Sequence, residues 1–131
     1  MVVIDTSAWI EYFRGGVPSI VRGVDSCLKH ELVVVGDLIY CEVMQGIREA
    51  RQRKEISALL LSLPCHDMVG FEIADRAAEN YRLMRARGVT VRKTIDVFIG
   101  TFCVQRGFQL LHFDRDFDHM APYIGLDVWK P

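Results

Sequence analysis

The chain has 131 residues, 50% apolar and 25% charged, which suits one domain over residues 1–131 that buries roughly two-thirds of its unfolded surface. With 16 Lys and Arg against 17 Asp and Glu, the net charge of −1 excludes a disordered tail, a supercharged nucleic-acid sleeve and a polybasic membrane anchor. No apolar run approaches the ~20 residues of a membrane span, and MVVIDTSAWI, with Asp5 early and no basic stretch, is unlike a secretory leader.

Strand-like and helix-like segments alternate along the chain. Val2-Val3-Ile4 reads as a buried strand ending at Asp5. Thr6 or Ser7 is placed to cap a helix that carries Trp9, Ile10 and Phe13 on one face and stops at Gly15-Gly16. Residues 18–30 form a second helix, with Ile20, Val24 and Leu28 at four-residue steps. Leu32 to Val35 is the clearest strand, continuous and β-branched. Gly36-Asp37 opens a helix with Leu38, Ile39, Val43, Met44 and Ile47, and residues 51–63 form another before Pro64. A short strand is expected at Met68-Val69. Residues 71–87 read as a long amphipathic helix with Phe71, Ala74, Ala78 and Tyr81 in register, stopped by Gly88. Residues 94–105 are apolar nearly all round and predict a central buried helix. Strands follow at 109–113 and 126–129. The alternation predicts an α/β three-layer sandwich: a small, mainly parallel sheet with helices on both faces. Ligands of such sheets sit beyond the carboxyl ends of the strands.

Four acids are badly placed for ordinary surface charges. Asp5 follows the first apolar run, Glu42 lies on an apolar helix, Asp96 is held between Ile95 and Val97, and Asp114 follows Leu110-Leu111-His112-Phe113. Each has a structural explanation on its own. Asp5 could cap the next helix. Asp96 could sit in a first turn capped by Thr94, worth about 0.3–1 kcal/mol. Glu42 could pair with an Arg. Asp114 to Asp118 could be a solvated turn. The set is harder to dismiss, since like charges ~4 Å apart repel by about 4 kcal/mol at an effective dielectric of 20. Protons or a cation must offset that. Oxygen ligands suit Mg²⁺ or Mn²⁺, and such an ion can activate water and stabilise a leaving oxygen in phosphodiester hydrolysis.

At these residues the chain resembles PIN-domain ribonucleases, specifically the VapC-type toxins of toxin–antitoxin pairs. The matching stretches are IDTSAWIEYFRG, EVMQGIREA, TVRKTIDVFIGTFCVQRG and LLHFDRDFDHMAPYIGL, in the family's order over nearly the whole chain. The resemblance implies the PIN-like sandwich and a metal-dependent endoribonuclease. It carries the acidic quartet onto Asp5, Glu42, Asp96 and Asp114, binding Mg²⁺ or Mn²⁺, with Asp116 as a further metal ligand. Asp5, Asp96 and one of Asp114 or Asp116 are expected to hold the ion, with Glu42 acting through water. Thr6 and Ser7 match small hydroxyl residues that orient the first carboxylate or the metal-bound water. Phe113 departs from the pattern, because a polar residue often precedes this aspartate. The resemblance also implies an RNA substrate, often a structured one such as transfer RNA, a homodimer, and inhibition by a cognate VapB-type antitoxin.

Basic residues cluster at Arg48, Arg51, Arg53 and Lys54, better read as a solvated helix face, and at Arg85, Arg87, Arg92 and Lys93. Arg92 and Lys93 adjoin Asp96 and are candidates to grip the RNA backbone. His30, His66, His112 and His119 are isolated and read as structural or exposed; Trp9, Tyr12 and Phe13 are either core or dimer surface. Cys27, Cys41, Cys65 and Cys103 lack zinc-site spacing and read as reduced thiols of a cytoplasmic protein, mostly core fillers. The competing readings are a PIN-fold binding module without catalysis and a metal-dependent phosphatase of another α/β fold. The haloacid-dehalogenase type needs an Asp where Ser7 stands, and no glycine loop for nucleotides is present.

Overall fold

Val2, Val3 and Ile4 form the strand β1 (Val2–Ile4), and all three are buried. The computed structural model describes residues 1–131. The chain continues through α1 (Thr6–Arg14), α2 (Pro18–His30), β2 (Val33–Gly36), α3 (Asp37–Gly46), α4 (Ala50–Leu61), β3 (Cys65–His66), α5 (Phe71–Ala86), α6 (Thr94–Arg106), β4 (Gln109–Leu111) and α7 (Arg115–Ile124). The sheet order is β3-β2-β1-β4, and every pairing is parallel. The register aligns Val3 with Val34 on one side and with Leu110 on the other.

The connections decide the layers. From β1 to β2 to β3 the chain steps one way across the sheet, and from β3 to β4 it steps back. Right-handed crossovers therefore put α1–α4 on one face and α5–α6 on the other. The packing agrees: α1 contacts α2 and α3, α3 contacts α4, and α5, α6 and α7 contact one another. The result is the expected three-layer α/β sandwich. Because strands are parallel, the residues that leave β1 and β4 (Asp5 and His112 onward) emerge along one edge.

The core holds the sheet residues together with Trp9, Ile39, Phe102, Phe117 and Met120, all fully buried. Truncating Trp9 or Phe102 to Ala removes contacts worth about 3–5 kcal/mol. Trp9 stacks on Phe13 with centroids 5.4 Å apart, and Tyr12 meets Phe13 edge-on at 5.5 Å. Trp9 thus belongs to the core, and half-buried Tyr12 and Phe13 pack at its margin. Cys27 and Cys103 are buried while Cys41 and Cys65 are exposed, so only half of the free thiols fill the core.

Several elements differ from expectation. The third strand lies at Cys65–His66, not Met68-Val69. Val35 N–H donates to Pro64 O and starts that pairing early, while Met68 N–H is taken by the Asp37 carboxylate. The last expected strand shrinks to one bridge between Leu110 and Val128, made by Leu110 N–H to Asp127 O and Trp129 N–H to Leu110 O. β4 stops at Leu111, and α7 begins in the stretch for which a solvated turn was one of the readings. On α5 the inward residues are Ala77 and Met84 with half-buried Asn80, whose Nδ2 donates to Thr101 Oγ1 on α6 at 3.0 Å. Phe71, expected on the packed face, is 97% exposed. The inward face of α5 is thus Ala77, Met84 and a polar contact in place of Phe71.

Candidate metal centre and its surroundings

Asp5 is both a helix cap and a site residue. Its backbone N–H extends the sheet by donating to Leu111 O, and its carbonyl accepts from Ala8 and Trp9. Its Oδ2 accepts from Ser7 N–H at 3.0 Å and Ser7 Oγ at 2.6 Å. The cap of α1 is therefore Asp5 itself, not Thr6 or Ser7. Both Ser7 bonds fall on Oδ2. Ser7 Oγ also accepts from Phe113 N–H at 2.9 Å, which ties the end of β1 to the segment leaving β4. Thr6 faces the other way and donates to Glu42 Oε1 on α3 at 3.0 Å. The two hydroxyls thus orient two different carboxylates.

Asp96 lies in the first turn of α6 and is 4% exposed. The residue before the helix, Lys93, is its N-cap and offers no side-chain cap bond, so Thr94 is not the cap. Asp96 Oδ2 is buried and has no hydrogen-bond partner. Asp114 caps α7 through Oδ1, which accepts Asp116 N–H at 2.9 Å, and Asp116 is itself buried in the first turn. One carboxylate oxygen from each of Asp96, Asp114 and Asp116 lies within 4.8 Å of the others. Asp5 is outside that tight triad but remains electrostatically coupled to Asp96 and Glu42.

The charges record the crowding. Burial, then the nearby Asp5 and Asp114 carboxylates, push the Asp96 carboxyl up to about 7. Burial likewise raises Asp5, against the opposing Ser7 hydrogen bonds, and raises Glu42, against the Thr6 hydrogen bond. Lys93 pulls Asp96 and Glu42 back down through its charge. The N-terminal turns of α1, α6 and α7 carry Asp5, Asp96, Asp114 and Asp116, so helix dipoles offset part of the repulsion. A buried unpaired carboxylate oxygen beside two more carboxylates costs free energy in the bare protein. An all-oxygen set of this kind fits a hard divalent cation.

The family model described as PIN domain matches residues 2–122. A ribonuclease of Mycobacterium tuberculosis, VapC11, is 32% identical over 133 residues, covering 98% of this chain and 97% of its own. This chain belongs to the PIN-domain family. Among solved structures, that of VapBC2 from Rickettsia felis bound to a promoter DNA fragment superposes with a TM-score of 0.77 at 13% identity, covering 98% of each chain. VapC20 of Mycobacterium tuberculosis, a sarcin-ricin loop cleaving toxin, superposes with a TM-score of 0.70 at 16% identity over the full length of both chains. Membership in this family removes the phosphatase of another α/β fold. No helix of this PIN domain is long and apolar enough to cross a membrane.

The basic clusters divide. Arg53 Nη1 is spent on the carbonyls of Ile47 and Arg48, at 3.0 and 2.6 Å, where it holds the end of α3. Arg51 pairs with Glu55 at 3.4 Å on an exposed helix face. Two of the four basic residues in that cluster thus have partners within the chain. Arg92 and Lys93 are exposed on the approach to Asp96. His112, read from sequence as isolated, borders the acids: its Nδ1 accepts Asp114 N–H at 3.2 Å. Burial holds its imidazole below the usual range, against the pull of Asp118, Asp5 and Asp114. The available signal was its place at a strand end, two residues before Asp114.

Proposed function

We propose that this PIN domain is a divalent-metal-dependent endoribonuclease and the toxin of a toxin–antitoxin pair. The observation that carries the reading is the convergence of Asp96, Asp114 and Asp116 around a buried carboxylate oxygen without a partner. In this reading Asp96, Asp114 and Asp116 hold Mg²⁺ or Mn²⁺, and Asp5 adds the oxygen that Ser7 leaves unused. The bound ion would supply Lewis acidity toward a phosphate oxygen and a more acidic water. Glu42, oriented by Thr6 and with its carboxyl raised by burial, receives the proton of the attacking water. Ser7 fixes the Asp5 rotamer. Arg92 and Lys93, exposed before α6, bind the RNA backbone.

The substrate class is structured RNA, transfer RNA among it; the similarity to a toxin that cleaves the sarcin-ricin loop supports a folded target. The partner is a VapB-type antitoxin, supported by structural likeness to VapBC complexes. An apolar groove of about 240 Å³ between α1, α3 and α4, lined by Ile10, Phe13, Val43, Ile47 and Ile56 among others, offers a seat for its apolar segment. A second groove of about 310 Å³ between α5 and α6, beside exposed Tyr81, suits a second copy in a homodimer. Free thiols fit the reducing cytoplasm.

The test is cleavage of total cellular RNA by the purified, antitoxin-free protein in Mg²⁺, Mn²⁺ or EDTA, beside Asp96→Asn. Discrete fragments that require both metal and Asp96 support the reading. Cleavage that persists in EDTA or in the variant overturns it.

A further inference from the structure

Next to the carboxylates the surface opens into a cavity of about 500 Å³, lined by His112, Phe113, Asp114, Arg115, Asp118 and Val128. That volume is in the ~300–1,000 Å³ range of small-ligand sites. Four features of its wall point to a ligand class. Phe113 is 50% exposed and stands directly before the metal-site Asp114. Its backbone is bonded to Ser7, which is bonded to Asp5, so the main chain that carries the ring is tied to the acids. The His112 side chain is 5% exposed, and its buried Nε2 has no hydrogen-bond partner. Since Nδ1 accepts from Asp114 N–H, the neutral ring carries its hydrogen on the buried Nε2, on the side that faces Asp118. The Asp118 carboxylate lies 3.4 Å from that nitrogen, with its side chain 66% exposed.

We propose that this cavity is a nucleobase subsite beside the cleaved phosphate, and that it selects guanine. The inference rests on the ribonuclease reading only for the position of the cut. An exposed aromatic face binds any base by stacking. The polar wall discriminates among them through the exposed Asp118 carboxylate, with the buried His112 Nε2 behind it at 3.4 Å. The guanine edge is the complement, because N1–H and N2–H donate side by side to a carboxylate. Adenine and cytosine each turn a lone pair toward Asp118, and uracil offers a single ring N–H between two carbonyls. Arg115 adds a cation at the rim for the adjoining phosphate.

The experiment uses Asp96→Asn as an uncleaving background and fluorescent RNA hexamers, UUUUUU and three others carrying one G, A or C at the third position. Affinity is read by anisotropy. The G hexamer is expected to bind about tenfold tighter than the rest. Adding Phe113→Ala should weaken all four by about tenfold, the scale of one lost base stack, and Phe113→Trp should restore them. Adding Asp118→Asn should erase the G preference while keeping the stacking. Equal affinity for all four hexamers, no binding at all, or indifference to Phe113→Ala overturns the subsite. In parallel, the natural chain should cut RNA with G at one fixed place relative to the broken bond. G-selective binding without any cleavage would sink the nuclease reading and keep the subsite. Metal-dependent cleavage without base preference, unaltered by Phe113→Ala, would do the reverse.

Discussion

Glu11 and Asp96 are buried to the same degree, each 4% exposed, yet the fold treats them in opposite ways. Glu11 accepts from Arg14 Nε at 2.7 Å, Arg14 Nη2 at 3.0 Å and Val17 N–H at 3.3 Å. Those partners, the Arg14 hydrogen bond first, hold its carboxyl below the usual range. Asp96 has an orphaned oxygen and carboxylate neighbours, and its carboxyl sits at about 7. Glu11 closes the turn between α1 and α2; a Cβ at Gly16 would stand 2.7 Å from Glu11 Oε1 and 2.9 Å from Arg14 Nε, and would displace that ion pair. Burial therefore does not mark function. A buried acid with all its partners in the chain is structure, and one left without them awaits something outside the chain.

Exchanging the two carboxylates for amides tests that contrast most strongly. Asp96→Asn should reduce RNA cleavage by at least about a hundredfold while raising the melting temperature of the metal-free protein. The rise should be several degrees, the scale of a ~1 kcal/mol change in a chain this size. Glu11→Gln should do the opposite, lowering the melting temperature with cleavage by the folded protein unchanged. Should Asp96→Asn melt below the natural chain in EDTA, the acids are not frustrated. Metal titration separates the sites further. Mn²⁺ should raise the melting point of the natural chain and of Glu11→Gln by mass action, and should leave Asp96→Asn unmoved.

The pH dependence differs in sign. The Asp96 carboxyl, raised from 3.8 to about 7, holds its proton more tightly folded than unfolded. In metal-free protein its contribution to stability is therefore lost as pH rises from about 4 to 7. Glu11 is lowered from 4.5, so its contribution is present above that value and is lost as pH falls through the folded one. Thermal melts in EDTA should show the advantage of Asp96→Asn growing between pH 4 and 7. The deficit of Glu11→Gln should instead shrink below pH 4.5. Parallel curves for both variants would break the distinction.

The amino-acid pattern singled out Asp96 and passed over Glu11, and the reason is physical. Asp96 stood out because its neighbours Ile95 and Val97 are apolar and its helix is apolar all round; Glu11 did not, because its burial comes from Arg14 and a turn that no periodicity reveals. The strands Val2–Ile4 and Val33–Gly36 were legible because strands buried on both faces write continuous β-branched runs. Cys65–His66 was not, since two residues at a sheet edge carry no pattern. α7 was hidden by Pro122 and by the acids of its first turn, although Asp114 before it and Gly125 after it are ordinary cap signals. Of the candidate site, the approach of Asp96 to Asp114 and Asp116 lay in the tertiary packing of α6 on α7, where Gly100 admits Met120. The sequence could nominate each acid but not the distances between them.

The smallest expected effect lies in the counter-charges. Arg14 is bonded to Glu11, whereas Lys93 acts on Asp96 and Glu42 through its charge without forming an ion pair with either. An ammonium left free beside the acids can turn to phosphate when RNA arrives. Lys93→Ala should therefore lower RNA affinity about equally for every sequence and reduce the salt slope by about 1. Arg51→Ala, whose guanidinium already faces Glu55, should leave that slope unchanged. Binding titrations across salt concentrations decide between them. An equal response from both variants would mean that general surface charge, and not the placement of Lys93 at the mouth of the acidic site, draws the RNA in.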